Sequence, residues 1–216
     1  MIVWIFREQR SGSTAFADKV AKHLGREHLF VDLSSMEEVT AIENPEDYVF
    51  STHSFDYLKL MESYTSEVLL IRCTRHNKVE QWLSYLIAWS FNNRVKVDDR
   101  FWNIKRDKAL NINQTTFDNA QPVLFTKKDV LECIDYFCDM RESWNRYAKD
   151  HNNYTIYYED LCNSGVTIDP LELYNCKITD LDSYTVMLPS YKRDLCMNYD
   201  MVQKWIESYI AQVVEW

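Results

Sequence analysis

Arg10-Ser11-Gly12-Ser13-Thr14 stands between an apolar run, Met1 to Phe6, and a stretch in which apolar residues recur at Phe16, Val20, Ala21 and Leu24. That recurrence is one face of a helix, so the five residues form the turn from a first strand into a first helix. Backbone N–H groups at such a turn and the positive end of the helix dipole converge on one spot, an anion cradle suited to phosphate or sulfate. Arg10 adds positive charge at its lip, and Ser11, Ser13 and Thr14 add hydroxyl donors. The chain holds only three glycines, which makes Gly12 at this turn a position for close approach rather than filler. An ordinary strand-to-helix link, with Ser11 or Ser13 as its N-cap, is the plainer reading of the same letters. A magnesium-dependent nucleotide loop of the form G-x-x-x-x-G-K-[S/T] fits poorly. With Gly12 as its second glycine, Arg7 falls on the first and Ser13 on the lysine that reaches the β/γ-phosphates.

The elements that must hold this turn follow from short apolar runs alternating with helical patterns, which indicate a parallel α/β sheet. Beyond the first strand, strands are expected at His28–Asp32, Tyr48–Thr52, Glu67–Arg72 and Tyr154–Tyr158. Helices are expected from Asn77 to Phe91, Lys127 to Lys149 and Tyr199 to Val214, with Thr126 and Asn198 as N-caps of the last two. Val95 to Phe125, rich in Asn, Asp, Arg and Lys, reads as an irregular, substrate-facing loop. In doubly wound sheets ligands bind beyond the carboxyl ends of the strands. Those ends gather the Arg10–Thr14 turn, His53, Arg75 with Ser84 on the helix after it, and Tyr158. Such a rim suits a ligand with two separated anionic groups and an aromatic base.

In this order the motifs resemble those of the 3′-phosphoadenosine 5′-phosphosulfate-dependent sulfotransferases. Arg10-Ser-Gly-Ser-Thr14 resembles the family's 5′-phosphosulfate loop. Thr74 to Ser84 resembles its 3′-phosphate segment, and Tyr157-Tyr158-Glu159-Asp160-Leu161 its Y-E-D-L signature. The resemblance implies a P-loop-like, doubly wound, mainly parallel sheet with flanking helices. It also implies transfer of a sulfuryl group to a hydroxyl or amine acceptor without a metal. By the same resemblance, Arg10 and the Ser11–Thr14 amides hold the phosphosulfate, Arg75 and Ser84 bind the 3′-phosphate, and Tyr158 sits against the nucleotide. Lys192, within Tyr191-Lys192-Arg193, supplies a late basic contact. Ser51-Thr52-His53 resembles the family's K-T-H element, with Ser51 in place of the lysine, and makes His53 the candidate general base. Asp32, Glu37 or Glu38 would serve where a carboxylate takes that role. A protein that keeps the cradle for binding without transfer is the alternative.

Composition bounds the rest. The 216 residues suit one domain spanning 1–216, and 46% hydrophobic with 26% charged residues is ordinary for a globular chain. A formal net charge of −9 disfavours nucleic acid as a general partner, although local basic pockets survive within an acidic protein. Cys73, Cys133, Cys138, Cys162, Cys176 and Cys196 form no C-x-x-C pair, so reduced structural thiols, a cytoplasmic location and no metal site are expected. No secretory leader is visible and no run reaches the ~20 apolar residues of a membrane span. Nothing selects among sugar, tyrosine, lipid or small phenol as acceptor.

Overall fold

The computed structural model describes residues 1–8, 11–31, 39, 41–54, 67–94, 122–178 and 189–212. They divide into two compact units, Met1–His76 with Phe137–Thr179, and Asn77–Tyr136 with Asp180–Trp216. Most of the Val95 to Phe125 stretch expected to face substrate lies outside the described residues, as do Arg10, Asp32, Glu37 and Glu38.

The first unit is built on five parallel strands, β1 (Ile2–Arg7), β2 (Glu27–Phe30), β3 (Tyr48–Thr52), β4 (Val68–Thr74) and β5 (Asn152–Tyr157). Their order, β2-β3-β1-β4-β5, puts β1 in the centre. The chain winds outward on one side of β1 and then on the other, the expected doubly wound α/β fold. All six residues of β1 are buried, and β4 is nearly so. Strands covered on both faces read as unbroken apolar runs, which is why they are visible in the sequence.

On one face Val3, Ile5, Val49, Leu69 and Ile71 share a core with Phe16, Ala17, Val20 and Ala21 of α1 (Ser13–Leu24). Fully burying a side chain such as Phe16 contributes about 1.5–3 kcal/mol. On the other face Trp4 stacks on Phe50 at 4.7 Å, and Phe6 meets Trp144 at 6.1 Å. Trp144 belongs to α3 (Lys127–Ala148), which follows α2 (Lys78–Arg94) in the chain. After β5 comes the short α4 (Tyr158–Cys162), then an antiparallel pair, β6 (Val166–Ile168) and β7 (Leu173–Cys176). That pair is absent from the sequence reading, because strands of three and four residues fall below any period-2 window.

The second unit holds α2, the first ten residues of α3, α5 (Pro189–Leu195) and α6 (Tyr199–Ile210). Trp82, Leu83, Leu86 and Ile87 of α2 are buried, as are Val202 and Ile206 of α6, and Tyr85 stacks on Tyr136 at 4.9 Å. Thr126 caps α3 as expected, its hydroxyl accepting from the Asp129 N–H at 3.3 Å while Asp129 accepts from the Thr126 N–H at 2.7 Å. Asn198 occupies the N-cap of α6, but its side chain makes no cap bond. Instead its amide bridges the N–H and C=O of Phe125. Among the described residues no helix is long and apolar enough to cross a membrane.

Candidate functional site

Because the five strands are parallel, their carboxyl ends share one edge. The register sets Arg7 beside Cys73, Phe6 beside Thr52 and Thr74 beside Tyr157. The turn at Gly12, His53 after β3, Arg75 after β4 and Tyr158 after β5 therefore lie along the same edge of the first unit. Ser84, buried on α2, and Lys192, on α5, belong to the second unit. The Lys192 ammonium is ion-paired there with Glu80, which also accepts from the Tyr199 hydroxyl at 3.3 Å.

Gly12 is the N-cap residue of α1, with φ 70° and ψ 11°, in the left-handed region where L side chains are strained. A second constraint acts on it. A Cβ built there would stand 2.7 Å from Cε2 of Tyr158 and closer still to Cδ2, so the tyrosine ring lies directly on the glycine. The same ring also meets Arg75, whose guanidinium carbon sits 4.4 Å from its centre. Tyr158 thus links the loop to the residue expected at the far phosphate. Burial above all pushes its phenol up to about 12, so it stays protonated at neutral pH.

The whole Y-E-D-L segment braces the end of β4. Tyr157 stacks on His76 at 3.7 Å, Glu159 accepts from the His76 N–H at 2.9 Å, and Asp160 meets His76 Nε2 at 3.3 Å. Leu161 is fully buried in the core. Arg75 Nε is buried and has no hydrogen-bond partner among the described residues, which leaves a donor for a ligand.

Polar residues with no assigned role in the sequence reading shape the loop from beneath. Arg7, buried at the end of β1, donates from Nε to Ser13 Oγ (3.2 Å), from Nη1 to Ser51 Oγ (3.4 Å) and from Nη2 to Thr14 Oγ1. Its guanidinium lies 4.2 Å from the centre of the Phe30 ring. A cation therefore reaches Ser51, where the K-T-H element has its lysine, but it arrives from β1. Glu8, also buried, accepts from Arg72 Nε at 2.6 Å and from the Thr74 hydroxyl, fastening the loop to β4. Ser11 turns inward, its hydroxyl donating to the Glu8 carbonyl at 2.6 Å, so its side chain closes the loop and its backbone N–H is the group left for an anion. The sequence signal for Arg7 and Glu8 is two charges directly after six apolar residues.

The head of α1 is electrostatically open. Gly12 offers no side-chain cap, and the first turn contains no acidic residue. Its N–H groups, the helix dipole and the Arg7 charge all favour an anion.

His53 is placed as expected but in an unexpected state. Its Nδ1–H donates to the Arg7 carbonyl, and its ring meets Phe30 edge-on at 5.5 Å. Burial, reinforced by the Arg7 charge, lowers its pKa to about 3. The imidazole is neutral at physiological pH, with Nδ1 protonated and Nε2 as its basic atom.

A histidine held neutral in the fold while the unfolded chain titrates near 6.5 destabilises the protein as acid is added. Stability from this residue is intact above about pH 6.5 and declines as pH falls toward 3, by up to about 1.4 kcal/mol per pH unit. Urea unfolding of wild type and His53→Gln between pH 5 and 8 should show the steeper loss in wild type. Parallel curves would show that His53 titrates normally.

No family model matches the chain, and no curated protein matches it by sequence. Among solved structures it is similar to deoxyadenosine kinase from M. mycoides with bound dCTP, at 14% identity over 79% of this chain and 94% of that one. The TM-score is 0.23, too low to carry an argument about what this chain binds.

Proposed function

We propose that the protein is a sulfotransferase whose donor is 3′-phosphoadenosine 5′-phosphosulfate. The observation that carries the reading is the head of α1, where a left-handed glycine without a cap, an acid-free first turn and a buried arginine meet. The residues fit the donor's two anionic ends. The amides from Ser11 to Thr14, with Arg10, would hold the phosphosulfate. Arg75, with its unpartnered Nε, would take the 3′-phosphate. Ser84 and Lys192 are the further contributors the motifs suggest. Bound there, the donor supplies the sulfuryl group that passes to an acceptor hydroxyl or amine. The loop amides would stabilise charge developing on the phosphate oxygen as the S–O bond breaks. His53 Nε2 is the candidate acceptor for the proton released by the attacking hydroxyl.

A second reading, binding without transfer, is favoured by one observation. A histidine with a pKa of about 3 is a weak base at neutral pH, well below the range that favours general-base catalysis.

Melting curves test the donor first. Saturation to a hundred times Kd stabilises a protein by about 2.7 kcal/mol. At 1 mM, 3′-phosphoadenosine 5′-phosphate should therefore raise Tm by several degrees, and ATP with magnesium by much less. Equal shifts would remove the assignment. Labelled-sulfate transfer to a panel of hydroxyl and amine acceptors then separates the readings: transfer abolished in His53→Ala supports the enzyme, and binding without transfer supports the second.

A further inference from the structure

A continuous polar line runs in the first unit from α1 through β2 and β3 to the end of β1. Asp18 on α1 meets His28 Nδ1 on β2. His28 Nε2 lies 2.7 Å from Ser51 Oγ on β3, and that same Oγ accepts from Arg7 Nη1. Arg7 in turn donates to the hydroxyls of Ser13 and Thr14. With the His28 ring neutral, the line has one proton order. A carboxylate only accepts, so His28 carries its proton on Nδ1. Nε2 of the neutral ring then accepts, and the Ser51 hydroxyl donates to it. Ser51 Oγ is left to receive Arg7.

The consequence falls on the loop. A hydroxyl whose oxygen receives a guanidinium N–H turns its own proton away from that donor. Among the described residues, the Ser13 and Thr14 hydroxyls donate to nothing. Ser51 is fully buried between Phe50 and the equally buried Thr52, a position where a hydroxyl is retained only with partners. Here it has two. The Phe30 ring, 4.2 Å from the guanidinium centre, holds Arg7 from another side.

We propose that Asp18, His28 and Ser51 are positioning residues that orient Arg7, which in turn holds the Ser13 and Thr14 hydroxyls as donors to an anion at the head of α1. The inference rests on the reading of that loop as an anion site, and it names the residues that make it a donor site before any ligand arrives. It carries a cost in burial that a purely structural link would not need, since valine at position 51 would pack a strand at least as well.

Two measurements test it. The ¹⁵N imidazole spectrum of the free protein reads the relay without a ligand. His28 should be the Nδ1–H tautomer, with its Nε2 resonance shifted in Ser51→Ala; an Nε2–H tautomer, or a resonance that Ser51→Ala leaves in place, overturns the relay. Titration calorimetry with 3′-phosphoadenosine 5′-phosphate reads its effect. Ser51→Ala and Asp18→Ala should each weaken binding about tenfold, and Ser51→Thr, which keeps the hydroxyl, should restore most of it. Asp18 is half-exposed, so Asp18→Ala should fold with an unchanged melting temperature even if Ser51→Ala does not. Wild-type affinity in both alanine variants overturns the relay and leaves the donor assignment standing. A wild type that binds none of this nucleotide overturns the donor assignment, and the imidazole spectrum still decides the relay.

Discussion

Gly12→Ala is expected to lose most of the anion affinity proposed for the loop and about 2–5 kcal/mol of stability, the sum of two separate penalties. Holding an alanine at φ 70° costs about 1–2 kcal/mol. Forcing its methyl against the Tyr158 ring, 2.7 Å from Cε2, costs about 1–3 kcal/mol more unless the ring moves. If it moves, it leaves Arg75, because the same ring stacks on that guanidinium. For a chain of this length the melting temperature should fall by roughly 10 °C. Tyr158→Ala in the same chain separates the two penalties, since it relieves the clash and leaves the backbone strain. The double variant should therefore be less destabilised than the sum of the singles by about 1 kcal/mol or more. Additive losses, measured by urea unfolding, would show that the ring and the glycine are independent and that the close approach has no energetic meaning.

The same pair shows what could be read from the chain before its structure. Gly12, His53, Arg75 and Tyr158 each come shortly after a strand predicted from an apolar run, so once the strands are taken as parallel their common edge follows. Continuous burial makes β1 and β4 conspicuous, and capping chemistry marks the start of α3 at Thr126. What lies beneath that edge was not legible. Arg7 reaches Ser51 across 44 positions, and Glu8 reaches Arg72 across 64. A buried polar link between strands leaves no period in either segment, since each partner alone looks like an ordinary polar residue near a strand end. His53 teaches the same lesson in electrostatic form. Its residue type suggests a titration near neutrality, and only burial beside Arg7 reveals a pKa near 3. Ser11 has the right type for a ligand donor, yet its hydroxyl turns back to close the loop.

Glu8→Gln is expected to be the costliest conservative change in the protein, lowering stability by about 3–5 kcal/mol with little change in volume. The Glu8 side chain is 3% exposed and that of Arg72 is 13% exposed, so water can replace little of what the carboxylate supplies. The substituted amide would keep one acceptor oxygen for the Arg72 Nε–H or the Thr74 hydroxyl, but it would leave the guanidinium charge without its partner. An uncompensated buried charge is the expensive outcome, more than the loss of the pair itself. Glu8→Gln with Arg72→Met should therefore recover much of the loss, although it removes a further polar group. The backbone bonds of residue 8, from its N–H to the Cys73 carbonyl and from the Ser11 hydroxyl to its own carbonyl, survive both changes. The loop should then keep its path but lose the tie to β4. The nucleotide affinity proposed for the loop should fall in Glu8→Gln and return in part in the double variant, in step with stability. A single variant within about 1 kcal/mol of wild type would mean that the pair is worth no more than an exposed one, and that the loop is held by its backbone and Arg7 alone.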